Sequence, residues 1–247
     1  MIIGLGTIIN VLAILFGTAA GILIGNRLSD KTSKVVTDGL GLVVLVLGGL
    51  NVISLLDSEF VSAVGPGIPL LIVIGAILLG GIIGSALKIE QRLENFGAGL
   101  QKRFAGKGPK DTKEKFITGF VNASLVFTIG PLAILGALSD GLGQGIEQLA
   151  TKSILDGFAS LAFAASLGWG VALSAIPVGI WQGLLTLLAF SVGSVMSGPV
   201  IAAITATGGV LLLGVALRLL QLRQVAVGNM LPALVVAPVL TMLVMAL

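Results

Sequence analysis

The sequence predicts an all-α fold, a polytopic bundle of about eight transmembrane helices. Of its 247 residues, 56% are hydrophobic and 10% are charged, whereas a soluble domain carries about 25% charged residues. Apolar stretches recur along the chain at the length of about 18 residues or more that a membrane-spanning helix requires. The 36 glycines and the absence of tyrosine favour closely packed apolar helices over a β-barrel with aromatic girdles.

Roughly 20 apolar residues per crossing divide the chain into eight predicted spans. Residues 153–195 are too long for one crossing, because about 43 residues in one helix would extend about 65 Å, twice the bilayer core. Two spans, or one span and a re-entrant segment, would account for that length, and we predict two spans. The alternative is a total of seven spans. The predicted spans are residues 5–25, 35–56, 68–88, 116–138, 153–172, 174–195, 200–220 and 229–247.

The basic residues predict the orientation of these spans. They cluster at residues 27–34, at residues 88–115, and at Arg218 with Arg223. Eight alternating spans place all three clusters on one side, which the positive-inside rule identifies as the cytoplasm; seven would place the last cluster outside. Both termini are therefore expected on the opposite, extracytoplasmic side. The opposite loops would contain Asp57, Glu59, Asp140, Glu147 and Lys152.

The chain is expected to have three parts. Residues 1–88 form a first transmembrane repeat, residues 89–115 a basic cytoplasmic loop, and residues 116–247 a second repeat with additional C-terminal helices. The first part of the loop can extend the third span until Gly106-Lys-Gly-Pro109 interrupts it. The loop either only fixes the topology or binds anionic lipid, as polybasic juxtamembrane segments do.

A weak internal repeat links the two halves. Residues 33–40 (SKVVTDGL) align without a gap with residues 151–158 (TKSILDGF), and Asn10 and Asn122 precede them at comparable distances. An odd number of spans separates predicted helices 1–2 from helices 4–5, so the two copies enter the membrane in opposite directions. This arrangement is typical of the inverted repeats of transporters.

Glycine and proline positions predict a helix break and several packing faces. Gly130 and Pro131 lie inside the fourth span, where proline removes a backbone donor and frees carbonyl groups. Small residues four apart allow close helix approach, either inside the chain or between the subunits of a homo-oligomer. These glycines are Gly17, Gly21, Gly25, Gly80, Gly84, Gly179 and Gly183.

The residues that the chain lacks restrict its chemistry. It has no histidine and no cysteine, so disulfides, imidazole or thiolate metal sites and Ser-His-Asp catalysis are excluded. We expect no enzyme activity, no cofactor and no metal site. The net charge of +3 is small, so the expected partner is the lipid bilayer and not nucleic acid.

Charged residues within the spans are the first candidates for function. Asp38 and Asp156 each follow a lysine, Lys34 or Lys152, by four positions. A carboxylate inside the bilayer costs roughly 2.5–3.5 kcal/mol, which favours a functional role in a substrate or ion pathway. The structural alternative is that each acid stabilises the first turns of its helix and pairs with its lysine.

Neutral polar residues within the spans are the second candidates. If Asn10, Asn122, Ser124, Thr128 and Gln182 converge on one cavity they would bind a solute; otherwise they form interhelical hydrogen bonds. Outside this set, Asn229 before Met230-Leu-Pro232 is expected to cap its own helix. Arg218 and Arg223 are expected to anchor a helix end at the interface.

Five segments of the sequence are similar to one known family. They are residues 152–160 (KSILDGFAS), 163–168 (FAASLG), 208–214 (GGVLLLG), 217–219 (LRL) and 227–234 (VGNMLPAL). Together they resemble the bacterial domain-of-unknown-function 554 family (YdfK/YqgA-like). The resemblance covers nearly the whole chain and implies a multi-pass protein of the bacterial cytoplasmic membrane, but it implies no substrate.

Two classes of function fit these residues. The first is a secondary transporter or channel for a small solute or ion, with Asp38 and Asp156 near the interface of the repeats. The second is a non-catalytic membrane scaffold or partner subunit without transport activity. A solvated cavity containing both aspartates would favour transport, whereas a dry interior packed through glycine would favour the scaffold.

Overall fold

The computed structural model describes residues 2–25, 29–104, 110–129, 131–192 and 197–247. Within these residues every regular element is helical: twelve α-helices, with 3₁₀ helices at Ile53–Leu56 and Trp169–Ser174. The α-helices are α1 (Leu5–Gly25), α2 (Asp30–Val52), α3 (Ser58–Val64), α4 (Ile68–Ala86), α5 (Ile89–Phe104), α6 (Lys110–Thr128), α7 (Pro131–Gly141), α8 (Glu147–Leu167), α9 (Ala175–Val192), α10 (Gly198–Leu219), α11 (Val227–Met230) and α12 (Ala233–Met245).

Several of these helices are long and apolar enough to cross a membrane, which confirms the predicted all-α membrane fold. Within the described residues there are six such segments, and the bent pair Lys113–Thr128 and Leu132–Gly141 is a seventh candidate. Helix α8 is not among them, so the count of eight spans stays a prediction. The six segments are Leu5–Gly25, Lys34–Leu56, Ile68–Ala86, Trp169–Ser191, Gly198–Leu219 and Val227–Met245.

Two predicted span boundaries differ from the structure. The third span does not continue into the basic segment, because α4 ends at Ala86 and Lys88 has a φ of 53°, which an α-helix does not contain. The predicted fourth span corresponds to two helices, α6 and α7, with a bend of 61° between them. The predicted break at Gly130 lies outside the described residues, and α7 begins at Pro131, a position that suits proline.

The chain forms two compact units, each from segments that are distant in sequence. Unit 1 contains residues 1–41, 93–128 and 132–195, and unit 2 contains residues 42–92, 129–131 and 196–247. The predicted sequential division at residues 88 and 115 does not coincide with these units.

Unit 1 is organised around the contact between α1 and α8. A Cβ added to Gly17, Gly21 or Gly25 would overlap the backbone of α8, so the glycine face of α1 is already occupied within the chain. The two helices run parallel over their whole length. The positions that meet are 6 with 149, 17 with 157, 21 with 161 and 25 with 165.

Unit 2 contains two antiparallel helix pairs packed through glycine. Gly80 and Gly84 of α4 lie against the backbone of Ala233 and Asn229, so this second glycine face is also occupied. In the other pair, Gly48 of α2 and Gly209 of α10 allow the backbones to approach closely. The core between these helices is formed by Phe60, Ile72, Ala76, Ala202, Ala203, Ala233 and Ala237.

Candidate functional site

Unit 1 contains a buried polar cluster that joins three helices. Asn10 of α1 donates one amide hydrogen to Asp156 of α8, at 3.0 Å, and one to Gln182 of α9, at 3.2 Å. Lys152, one turn before Asp156 on α8, forms an ion pair with the same carboxylate oxygen. Lys152 and Asp156 are 5% and 7% exposed, and both amide side chains are fully buried. Four predicted site residues therefore meet at one place.

Helix periodicity places these residues on interior faces. Asn10 belongs to the buried stripe of α1 that includes Thr7, Ile14 and Thr18, at spacings of three or four residues. Lys152 and Asp156 are four apart on α8, so their side chains are neighbours on one face. The lysine precedes the acid, which is the weaker orientation for helix stability alone.

The ring of Phe127 forms the wall next to the lysine. The Lys152 Nζ atom lies 5.9 Å from the centre of this ring, which packs edge-on against Phe163 with 6.0 Å between ring centres. An ammonium group over an aromatic face is attracted by the ring quadrupole. Nothing in the sequence distinguished Phe127 from the nine other phenylalanines.

The cluster has unused hydrogen-bonding capacity. Asn10 Oδ1 and Gln182 Nε2 are buried and have no hydrogen-bond partner in the described part of the chain. The same holds for the hydroxyl groups of Ser160 and Thr186, which follow Asp156 and Gln182 by four residues. A buried polar atom without a partner costs about 1–3 kcal/mol. Acceptor, donor and hydroxyl groups therefore remain for a polar ligand.

The other predicted site residues form no described hydrogen bond with this cluster. Asn122 of α6 is buried, and its Oδ1 atom has no partner among the described residues. Ser124 and Thr128 donate their hydroxyl hydrogens to carbonyl groups one turn earlier in their own helix, so no described hydrogen bond connects them to the cluster.

The second predicted lysine–aspartate pair has a different environment. Lys34 is exposed and Asp38 is half-buried, and no ion pair between them occurs within the described residues. The aligned sequence positions therefore do not give equivalent sites. The side chain of Pro131 lies outside the described residues, as does Gly130.

Two residues assigned to outer loops lie inside the protein, and that assignment was wrong. The α8 helix begins at Glu147, before the predicted start at residue 153, and this brings Lys152 into a buried turn. Asp140 is fully buried near the end of α7, where its carboxylate accepts hydrogen bonds from the backbone N–H groups of Gly4 and Gly6, both at 3.0 Å. These groups form the N-terminus of α1, which favours a negative charge.

Unit 2 contains a separate polar contact that corrects two further expectations. Arg218 is not a free anchor at the interface, because it forms a largely buried ion pair with Glu90. The Glu90 carboxylate also accepts the N–H of Gly228, at 2.5 Å. Asn229 does not cap its own helix; its side-chain oxygen accepts the N–H of Glu90, at 2.9 Å, and so caps the start of α5.

The unit 1 cluster has the groups needed to recognise a charged or polar ligand. No group of three or more acidic, histidine or cysteine side chains that could hold a metal occurs in the described ranges. The cluster offers a carboxylate whose charge is balanced by an internal ammonium group. A second cation, or a change in protonation, would compete directly with that pairing.

The comparisons with known proteins agree with this architecture. Residues 5–242 match the family described as "Protein of unknown function (DUF554)". The chain is 29% identical over 236 residues to the uncharacterized membrane protein YdfK of Bacillus subtilis (strain 168), covering 95% of this chain and 94% of that protein. It is 31% identical over 233 residues to the uncharacterized protein YqgA of Escherichia coli (strain K12), covering 94% of each. No solved structure matches. Because the family match spans nearly the whole chain, this multi-pass helical membrane protein belongs to the DUF554 family.

Proposed function

We propose that this protein is a secondary transporter or channel for a small cation or an ammonium-bearing solute across the bacterial cytoplasmic membrane. Its binding site is the cluster of Asn10, Lys152, Asp156 and Gln182. The observation that carries the proposal is the buried Asp156 carboxylate, which is held between an internal ammonium group and an amide with an unused acceptor atom.

The distribution of unpaired polar atoms supports this location. Among the described residues, nine buried side-chain polar atoms have no hydrogen-bond partner, and eight of them belong to unit 1. Purely structural hydrogen bonds between membrane helices would leave few such atoms, because each costs free energy in an apolar medium. A unit that hydrates or binds a polar ligand during its cycle would gain those bonds when it is occupied.

A non-transporting scaffold is the second candidate function. It is supported by the close contact between α1 and α8, where Gly17, Gly21 and Gly25 bring the two backbones together. In that case Asp156, balanced by Lys152, would only fix the register of α1 and α8 through its hydrogen bond from Asn10. Measurements of flux and of folding on the same variants separate the two functions.

Helix directions support eight crossings. Helices α2 and α10 pack antiparallel, and so do α4 and α12, so an even number of crossings separates the members of each pair. Between α2 and α10 in the chain, helices α4 and α9 supply two crossings. The number stays even only if α8 and the bent α6–α7 pair both cross the membrane, or if neither does. Helix α8 runs parallel to α1, which is a candidate span, along its full length. We therefore infer that α8 also crosses the membrane.

With eight crossings, both termini are extracytoplasmic and α5 is cytoplasmic, by the positive-inside rule. The test is single-cysteine labelling, since the chain has no native cysteine. A Cβ at Gly99 of α5 meets no atom within 4 Å, so Gly99→Cys is a tolerated reporter. We expect an impermeant maleimide to label it in inside-out vesicles and not in intact cells. Labelling in intact cells would contradict the orientation.

Flux into proteoliposomes tests the transport proposal. The probes are ²²Na⁺, ⁸⁶Rb⁺ and radiolabelled methylammonium, and the variant is Asp156→Asn, which keeps size and removes charge. We expect the wild-type protein to carry at least one probe and the variant to carry none. Asp57→Asn is the matched control, because Asp57 is exposed. Its side chain accepts a single hydrogen bond from the described residues, the cap bond from Phe60 N, which asparagine can also accept. A wild-type protein that moves none of the probes, or a fully active Asp156→Asn variant, would contradict the proposal.

A further inference from the structure

The polar cluster of unit 1 combines one positive and one negative charge. Lys152 and Asp156 form an ion pair, and both side chains are at least nine-tenths buried. A bare cation that bound Asp156 would displace the Lys152 ammonium group and leave it buried without a partner. An unpaired charge is strongly unfavourable in a protein interior. The internal ion pair therefore disfavours a solute that carries a positive charge alone.

A solute that carries both charges avoids this cost. The ammonium group of a zwitterion can pair with Asp156 while its carboxylate pairs with Lys152. Each buried charge then keeps an opposite partner, and the interior gains no net charge. Binding exchanges one internal ion pair for two ion pairs with the solute. The charges of the cluster are therefore complementary to a zwitterion.

The two amide side chains leave one kind of group for each end of such a solute. Asn10 donates both amide hydrogens, to Asp156 and to Gln182, so its Oδ1 atom is the group left over, and it can only accept. Gln182 accepts through its oxygen, so its Nε2 group is left over, and it can only donate. Neither atom has a partner among the described residues. An ammonium group requires acceptors and a carboxylate requires donors.

Burial and helix packing limit the size of the solute. The side chains of Asn10 and Gln182 are fully buried. Beside them, α1 and α8 approach so closely that an added Cβ at Gly17 would overlap the backbone oxygen of Gly157. The ring of Phe127 lies 5.9 Å from Lys152 Nζ. The arrangement therefore favours a solute whose two charged groups are close together and which has little or no side chain.

We propose that this cluster binds a small zwitterionic amino acid. The ammonium group of the solute pairs with Asp156 and Asn10 Oδ1. Its carboxylate pairs with Lys152 and Gln182 Nε2. This inference rests on the proposed function, because it names the class of ammonium-bearing solute for the same site. Methylammonium represents only the cationic half of that solute and should bind more weakly.

Equilibrium binding to the purified full-length protein in lipid nanodiscs tests the proposal. The radiolabelled probes are glycine, methylammonium and acetate, of which the last two each carry one of the two charges. We expect glycine to bind at least about tenfold more tightly than either, because each lacks one set of charge-assisted hydrogen bonds. N,N,N-trimethylglycine should compete poorly with glycine, because it has no N–H group to donate to Asn10 Oδ1.

Binding and flux distinguish this inference from the proposed function. A protein that carries methylammonium into proteoliposomes but does not bind glycine, or binds both equally, would overturn the inference and leave the proposed function standing. A protein that binds glycine tightly but moves no solute would support the zwitterion site and contradict transport. A protein that neither binds glycine nor moves any probe would overturn both.

Removing each charge should change the preferred probe. Lys152→Met leaves Asp156 without its internal cation, so this variant should bind glycine at least about tenfold more weakly and methylammonium more tightly than the native protein. Asp156→Asn should shift the preference to acetate by the same reasoning. The double variant, in which no charge remains at the pair, should bind none of the probes, and it replaces the single variants if these do not fold. Asp57→Asn, at an exposed position of unit 2, is the control and should bind glycine normally. Single variants that keep the native preference for glycine, or a double variant that still binds glycine, would overturn the proposal.

Discussion

The buried Lys152–Asp156 pair allows structural and functional roles to be separated by a double-mutant cycle. Lys152→Met removes the ammonium group and leaves the Asp156 carboxylate with Asn10 as its described partner, at 7% exposure. Asp156→Asn leaves the ammonium group buried instead. Because breaking a buried ion pair costs about 3–5 kcal/mol, each single variant should lose that amount of unfolding free energy.

The double variant should regain most of the lost stability. With methionine at 152 and asparagine at 156, no buried charge remains, and the new amide oxygen can still accept the Asn10 hydrogen bond. Replacing both members of a buried pair by uncharged groups of similar volume is often neutral. We therefore expect the double variant to fall within about 1 kcal/mol of the native protein, a coupling of several kcal/mol.

Unfolding by a denaturing detergent in mixed micelles, followed by tryptophan fluorescence, measures these free energies. Both tryptophans belong to unit 1, and Trp169 packs edge-on against Phe116 with 4.7 Å between ring centres. Flux is measured on the same preparations. If Asp156 binds the solute, the double variant should be stable and inactive. A double variant that recovers both stability and flux would refute the functional role, and additive losses would refute the ion pair itself.

Three further predictions concern the contacts that hold each unit together. Gly17→Leu should lower the melting temperature strongly, because its side chain would overlap the backbone of α8. Gly183→Leu on α9 should leave the melting temperature nearly unchanged, because an added Cβ there meets nothing within 4 Å. Equal losses in the two variants would contradict the contact between α1 and α8. Asp140→Ala should cost about 1–2 kcal/mol in detergent unfolding, because two N–H groups of α1 lose their acceptor; an unchanged midpoint would contradict that role. Arg218→Met should destabilise unit 2 by leaving Glu90 without its cation, whereas exposed Arg223→Met should leave thermal unfolding unchanged.

The sequence determined the features that depend on local composition. Apolar length and the low content of charge predicted helices in a membrane, and the structure contains them at most of the predicted positions. The absence of histidine and cysteine excluded whole classes of chemistry without any coordinates. Asp156 was selected because a charge within a span is costly wherever the helices around it lie. These inferences need only the residues of one helix and the properties of lipid.

Only the tertiary structure decided which polar groups meet. Asn10 and Gln182 are 172 positions apart and Arg218 and Glu90 are 128 apart, so no local pattern links them. Their meeting depends on which helices pack through glycine, and glycine stripes alone do not specify a partner. The same reason explains why Asp140 was wrongly placed in a loop. Its partners are the N–H groups of α1. A buried carboxylate needs hydrogen-bond donors or a cation around it, and for Asp140 a helix end that is distant in sequence supplies the donors.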